Sequence, residues 1–127
     1  MIRSLMITMA LIGATVLPGG CEPPPRNCDG LIGLLELYGP QAGWDTSRMS
    51  RIIWRESRCQ PDAYNRRGQA SGLLQITPIS YPYLRGALGE WIDRWTLMDP
   101  ILNIRAGAAL FDYWSRGGHS GYRPWTL

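Results

Sequence analysis

Met49, Ile52, Ile53 and Glu56 recur at positions i, i+3, i+4 and i+7. This spacing brings side chains to one face of an α-helix. Three of the four are apolar and must turn toward a core. The fourth is a carboxylate at the edge of the same stripe, while Arg48, Arg51 and Arg55 fall on the solvated side. Burial disfavours the charged form of a carboxyl group, and the partial negative charge at a helix C-terminus acts in the same direction. An acid kept protonated near neutral pH can donate its proton to a leaving group. The stripe also suits a structural ion pair between Glu56 and Arg58 or another arginine. Other chemistries find less support. His119 is the only histidine, so a nucleophile–histidine site would hang on one residue with no supporting motif. No set of residues has metal-ligand spacing and no Gly-rich phosphate loop is present, so neither a metal nor a cofactor is expected.

The elements that must position Glu56 follow from caps and breakers. Asp45 reads as the N-cap of the helix carrying Glu56, with Trp44 placed to staple onto Met49, and Pro61 at or just after its end. Before it, Asp29 caps a short helix through Tyr38 with Leu31, Leu34, Leu35 and Tyr38 on one stripe, closed by Gly39-Pro40. After it, Asn65, Gly68 and Gly72 predict turns and a small irregular hairpin between Tyr64 and Ile76. Thr77-Pro78 starts a further helix that Pro82 shortens or bends. Gly86 and Gly89 predict a loop, and Trp91 to Leu97 a turn or two of helix. Asp99-Pro100 opens the last helix, to about Arg116, with Ile101, Ile104, Ala108 and Phe111 on one stripe and a stop at Gly117-Gly118. The fold class expected is mainly α, formally α+β, with a minor β element.

The chain has 127 residues, enough for one domain. Arg3 precedes an apolar run from Leu5 to Leu17, broken by Pro18-Gly19-Gly20. The run is shorter than the roughly 20 residues that span a bilayer and suits a signal-peptide core. Residues 1–20 are read as a signal peptide or membrane anchor, 21–28 as a Pro-rich linker, and 29–127 as the domain. Export to the periplasm, cell envelope or extracellular space is expected. Small residues before Cys21 resemble a lipoprotein processing site, although Pro18 stands where an aliphatic residue is usual. Three cysteines leave one over in an oxidising compartment. If Cys21 carries lipid, Cys28 and Cys59 remain to pair. The net charge of +3 favours an anionic wall or membrane surface. All basic residues are arginine, but no basic stripe is interleaved with aromatics, so no nucleic-acid partner is expected.

The residues after Glu56 carry a resemblance. Glu56-Ser57, then Pro61-x-Ala63, then Gly68-x-Ala70-Ser71-Gly72-Leu73-Leu74-Gln75-Ile76 resembles the signature of lysozyme-like soluble lytic transglycosylases. Related patterns occur in goose-type lysozymes and resuscitation-promoting factors. Asp99-Pro100-x-x-Asn103-Ile104-x-Ala106-Gly107 resembles the later helix of the same family. Larger members continue into helices with a Tyr-Asn-Ala-Gly segment, whose tyrosine lies near the catalytic acid. The ending at Tyr122-Arg123-Pro124-Trp125-Thr126-Leu127 looks more like the compact forms, which leaves open whether Tyr122 takes that tyrosine's place.

The resemblance implies a lysozyme-like fold, peptidoglycan glycan strands as substrate, and a single catalytic glutamate, Glu56. It implies that Gln75 lines the glycan groove, its amide able to donate to and accept from sugar substituents. Gly72 would let the backbone approach the sugar. Ser71 and Asn65 are further candidates for polar contacts, with turn chemistry as the alternative. Tyr83, with Tyr81 and Trp91, could stack on sugar rings or belong to the core. Glu56 would protonate the bond between N-acetylmuramic acid and N-acetylglucosamine, helped by the substrate's acetamido group in place of a second carboxylate. Attack by the sugar's C6 hydroxyl gives a 1,6-anhydro product; attack by water gives a lysozyme-type hydrolysis. Asp62 is the nearest alternative second carboxylate. The rival from another class is a non-catalytic glycan-binding or scaffold module. A monomer is expected, touching membrane only through its N-terminus or a lipid on Cys21.

Overall fold

The computed structural model describes residues 26–126. The leader, Cys21 and most of the Pro-rich linker lie outside the described residues. A 3-10 turn at Asp29–Leu31 leads into α1 (Ile32–Ala42), followed by α2 (Thr46–Ser57). A small antiparallel hairpin joins β1 (Tyr64–Asn65) to β2 (Ala70–Ser71), with Tyr64 opposite Ser71 and Asn65 opposite Ala70. Then come α3 (Tyr81–Leu88), behind a 3-10 turn at Pro78–Ser80, and α4 (Pro100–Arg116), behind another at Thr96–Met98. A final 3-10 turn spans Arg123–Trp125. This is the mainly helical architecture with a minor β element that the sequence predicts. Among the described residues no helix is long and apolar enough to cross a membrane.

Caps fix the two helices that matter most. The Asp45 carboxylate accepts from Arg48 N at 2.8 Å and starts α2. Asp99 accepts from Ile101 N at 2.8 Å and Leu102 N at 3.2 Å, satisfying two orphan donors of α4. α4 runs through the core, burying Ile104, Ala106, Gly107, Leu110 and Phe111. A side chain at Gly107 would collide with Leu74, so this glycine lets the Gly72–Gln75 segment lie directly on the helix. Phe111 packs edge-on against Trp44 and Tyr122, at ring-centroid distances of 6.0 and 4.7 Å.

Four local expectations are corrected. α1 does not stop at Gly39-Pro40 but continues to Ala42, with Gly43 left-handed at its end. Pro40 removes a single i→i−4 bond, on the exposed Glu36 side, and Gly39 leaves room for the Trp44 indole, which donates to Leu35 O at 3.0 Å. Gly86 lies inside α3 and only Gly89 ends it, while Pro82 sits in the first turn, where its missing N–H has no intrahelical role. Of the Trp91–Leu97 segment, only the end turns, as the 3-10 element Thr96–Met98. On α4, Ile101 is exposed and the buried stripe takes in Asn103.

Cys28 and Cys59 form a disulfide. Cys28, assigned to the linker on sequence, is buried, with its N–H donating to Ser50 Oγ at 2.8 Å. Closing a loop of sequence separation 31 stabilises by about 3–4 kcal/mol in the chain-entropy model.

Candidate active site

α2 presents Glu56 as its spacing predicts. Met49, Ile52 and Ile53 are buried, and Glu56 stands at the end of their stripe with its side chain 25% exposed. The surroundings differ from the expectation in one respect. Arg55, assigned to the solvated side, turns back so that its Nη2 lies 2.9 Å from Glu56 Oε1. The same nitrogen donates to the carbonyl of Trp125. Arg58, the ion-pair partner named on sequence, instead lies over the Trp54 ring at 3.8 Å and donates to Trp54 O at 3.1 Å.

The chain leaves α2 through two left-handed residues, Arg58 (φ 54) and Cys59 (φ 63). Neither is glycine, so the backbone is strained here and needs external support. The disulfide at Cys59 and a turn bond from Gln60 N to Ser57 O at 3.0 Å supply it. The bend returns the chain past Ala63 into the hairpin directly after the acid.

Gln75 ends the turn that follows that hairpin. Its Nε2 donates to Ala63 O at 3.2 Å and Gly72 O at 2.9 Å. Its backbone is left-handed, φ 51. Ala63 O also accepts from Gly72 N at 2.8 Å, so the amide buckles strand and turn together. Both amide protons are therefore committed to backbone, and its oxygen remains for a ligand.

The other predicted contacts divide. Gly72 is buried at φ +77, and a side chain there would strike Asn103 and Leu97 O. The close approach it permits here is to the scaffold. Ser71 is fully buried. Asn65 is exposed and accepts from Arg67 N at 3.0 Å, which is turn chemistry. Tyr83 packs at a tilt against Tyr113, with ring centroids 4.8 Å apart. The cavity they line, with Trp114, Arg116 and His119, does not include Glu56, Ser71 or Gln75. Tyr81 is a core residue, whereas Trp91 is exposed.

Tyr122 is not near Glu56, so it does not take the place of the Tyr-Asn-Ala-Gly tyrosine. Its hydroxyl accepts from Asp45 N at 2.7 Å, at the N-terminus of α2, while Glu56 occupies the last turn. Eleven residues of helix put these ends roughly 16 Å apart.

Sequence reasoning missed Asn103 as an organising residue. It is fully buried. Its Oδ1 accepts from Leu74 N at 2.8 Å, and its Nδ2 donates to Leu97 O at 2.9 Å and Ser71 O at 3.1 Å. One amide thus ties the turn carrying Ser71 and Gln75 to α4. The signal was available: an asparagine beside Ile104 on an apolar helix must find partners for its amide. Trp125 was missed too. It is buried against Gly107, with its indole donating to Leu74 O at 2.8 Å.

Among the described residues no group of histidine, cysteine, aspartate and glutamate could hold a metal ion. A search of the curated proteins and one of the solved structures returned no match. The family model described as Transglycosylase SLT domain matches residues 37–122, which include Glu56, the hairpin, Gln75 and Asn103. The helix–turn–hairpin around Glu56, the Gly-Leu-Leu-Gln turn pinned to α4, and this match over more than half of the chain place the protein in the transglycosylase SLT family, enzymes that act as lytic transglycosylases on peptidoglycan.

Proposed function

We propose that Glu56 is the general acid and base of this enzyme. It cleaves the β-1,4 bond between N-acetylmuramic acid and N-acetylglucosamine and leaves a 1,6-anhydro end. The observation that carries the reading is the placement of Glu56: a partly exposed carboxylate ending a buried apolar stripe, two residues before the left-handed bend that leads toward the hairpin. Glu56 gives its proton to the glycosidic oxygen as the bond to the muramic C1 breaks. The acetamido oxygen of the same sugar closes onto C1 and holds the developing charge. The C6 hydroxyl then attacks C1, the acetamido group is released, and the hydroxyl proton returns to Glu56. Atoms balance without water, and the carboxyl group is regenerated. Arg55 must release Glu56 before the proton is delivered, and its bond to the Trp125 carbonyl gives it somewhere to stay.

Residues 1–20 act in this reading as a signal peptide or anchor, with the domain exported to the cell envelope, where its substrate lies. The test is mass spectrometry of digested peptidoglycan. Anhydro ends are one water lighter than reducing ends. Glu56→Gln should lower product formation at least 100-fold, the lower end of general-acid contributions being about that size, with thermal unfolding unchanged. Activity within a few-fold of wild type would remove Glu56 from the mechanism. Reducing ends alone would replace the C6 hydroxyl by water.

A further inference from the structure

A second cavity, of about 390 Å³, lies against the hairpin, lined by Tyr64, Pro78, Tyr81, Asp93, Arg94 and Trp95 with Gln69 at its side. Its floor is an arginine between two aromatic rings. The Arg94 guanidinium carbon lies 4.0 Å from the Tyr64 ring centroid and 4.2 Å from that of Trp95. Such stacking fixes the plane of the guanidinium and leaves its N–H edge for an acceptor. Among the described residues that edge finds none: Nε is buried and unpaired, and no ion pair involves Arg94.

Asp93 is the neighbouring carboxylate, yet it is committed elsewhere. Its Oδ1 accepts from Trp95 N at 2.9 Å and Thr96 N at 2.8 Å, and its Oδ2 from the Trp91 indole at 2.9 Å. The Thr96 N–H first, then that indole, hold its carboxyl below the ordinary aspartate value.

The second observation is independent of Arg94. Tyr81 lines the cavity at 9% exposure, and its buried hydroxyl has no hydrogen-bond partner among the described residues. The Ser71 hydroxyl is also fully buried and unpaired. It lies near enough to ease ionisation of the phenol, without hydrogen-bond geometry, but burial is the larger effect and keeps Tyr81 a neutral donor. A fixed guanidinium and a buried phenol thus line one cavity, and Asp93, the carboxylate among its lining residues, is already occupied. Buried donors left unpaired are costly, so a ligand group rich in acceptors is the complement. A planar carboxylate matches the arginine fork.

We propose that this cavity binds a carboxylate of the glycan strand, carried by the peptide stem of muramic acid or, where the peptide has been removed, by its lactyl group. Peptidoglycan as the source rests on the functional reading above; the carboxylate itself rests on the cavity.

The test measures binding in the full chain carrying Glu56→Gln, so that no turnover intervenes. The probes are an N-acetylglucosamine tetramer without carboxylates, glycan strands stripped of peptide, and strands that keep their stems. Adding Arg94→Gln should weaken strand binding about 10-fold or more and leave the tetramer within twofold. Arg94→Lys, which keeps charge but loses the fork, should fall between. Tyr81→Phe, which removes only the hydroxyl, should weaken the same strands about threefold or more and carries the test if Arg94→Gln does not fold. Loss confined to the stripped strands assigns the lactyl group, whose carboxylate is free only there because the stem is joined to it as an amide; loss confined to stem-bearing strands assigns the stem, and loss on both shows that the cavity takes either carboxylate. Equal loss on all three probes, or none, overturns the proposal. If the parent enzyme cleaves no strand but the carboxylate preference persists, the reading of Glu56 fails and this one stands.

Discussion

Replacing Asn103 by leucine keeps the branched shape and the number of heavy atoms and removes one amide. Three backbone groups lose a partner, but not equally. Ser71 O still accepts from Ile76 N at 3.1 Å. Leu74 N, whose bond to Asn103 is 2.8 Å, and Leu97 O, at 2.9 Å, have no other partner among the described residues. Each buried group left unpaired costs about 1–3 kcal/mol, so the two together cost about 4 kcal/mol. The added apolar burial of leucine offsets about 1 kcal/mol. The net loss of about 3 kcal/mol is a large part of a typical stability of about 5–15 kcal/mol. For a domain of this size it lowers Tm by roughly 12–24 °C. The assay is thermal unfolding followed by circular dichroism, with the Cys28–Cys59 bond intact in both proteins. A Tm within about 4 °C of wild type, equivalent to less than about 1 kcal/mol, would overturn this account. It would mean that water reaches Leu74 N and Leu97 O when the amide is gone, and that Asn103 is not what holds the Gly72–Gln75 turn on α4.

Gln75→Ala removes two donations to carbonyls that each keep another backbone partner. The expected loss is about 1–3 kcal/mol, seen as a Tm lowered by roughly 5–20 °C. Reduced turnover per folded molecule at unchanged Tm would instead make Gln75 a groove residue alone. Cys59→Ser should lower stability by about 3–4 kcal/mol in urea unfolding, and local hydrogen exchange should rise first at the Arg58–Cys59 bend. Unchanged stability would assign support of that bend to packing alone. Glu56→Gln, by contrast, should abolish turnover at unchanged stability, since its partner Arg55 keeps the Trp125 carbonyl; a large fall in Tm would point to a structural ion pair.

The local elements were legible because their signals act within a few residues. Asp45 and Asp99 cap because a short carboxylate reaches the N–H groups two or three residues on. The stripe Met49, Ile52, Ile53, Glu56 is helical geometry written in sequence, so the place of Glu56 on its helix was fixed before any fold was known. The Cys28–Cys59 pair followed from a count of three and one cysteine assigned to the N-terminal processing site. Where local rules misled, tertiary contact overrode them. Gly39-Pro40 reads as a stop, but Trp44 folds back onto Gly39 and the helix continues.

The site itself divides along the same line. The order of residues was enough to single out the candidate acid, the helix that carries it, and the glycine-rich hairpin after it. Their surroundings came only with the closed fold. Arg55 meets Glu56 while bonded to a carbonyl 70 residues along the chain. Gln75 spends its amide on Ala63, 12 residues away, and Asn103 holds Ser71 across 32. Tyr122 lands at the far end of α2 because its hydroxyl finds Asp45, 77 residues earlier. Periodicity and capping report which way a side chain leaves its own helix; they carry no information on which distant donor or acceptor will occupy the space it enters. That is settled only when the core closes and every buried polar group must find a partner.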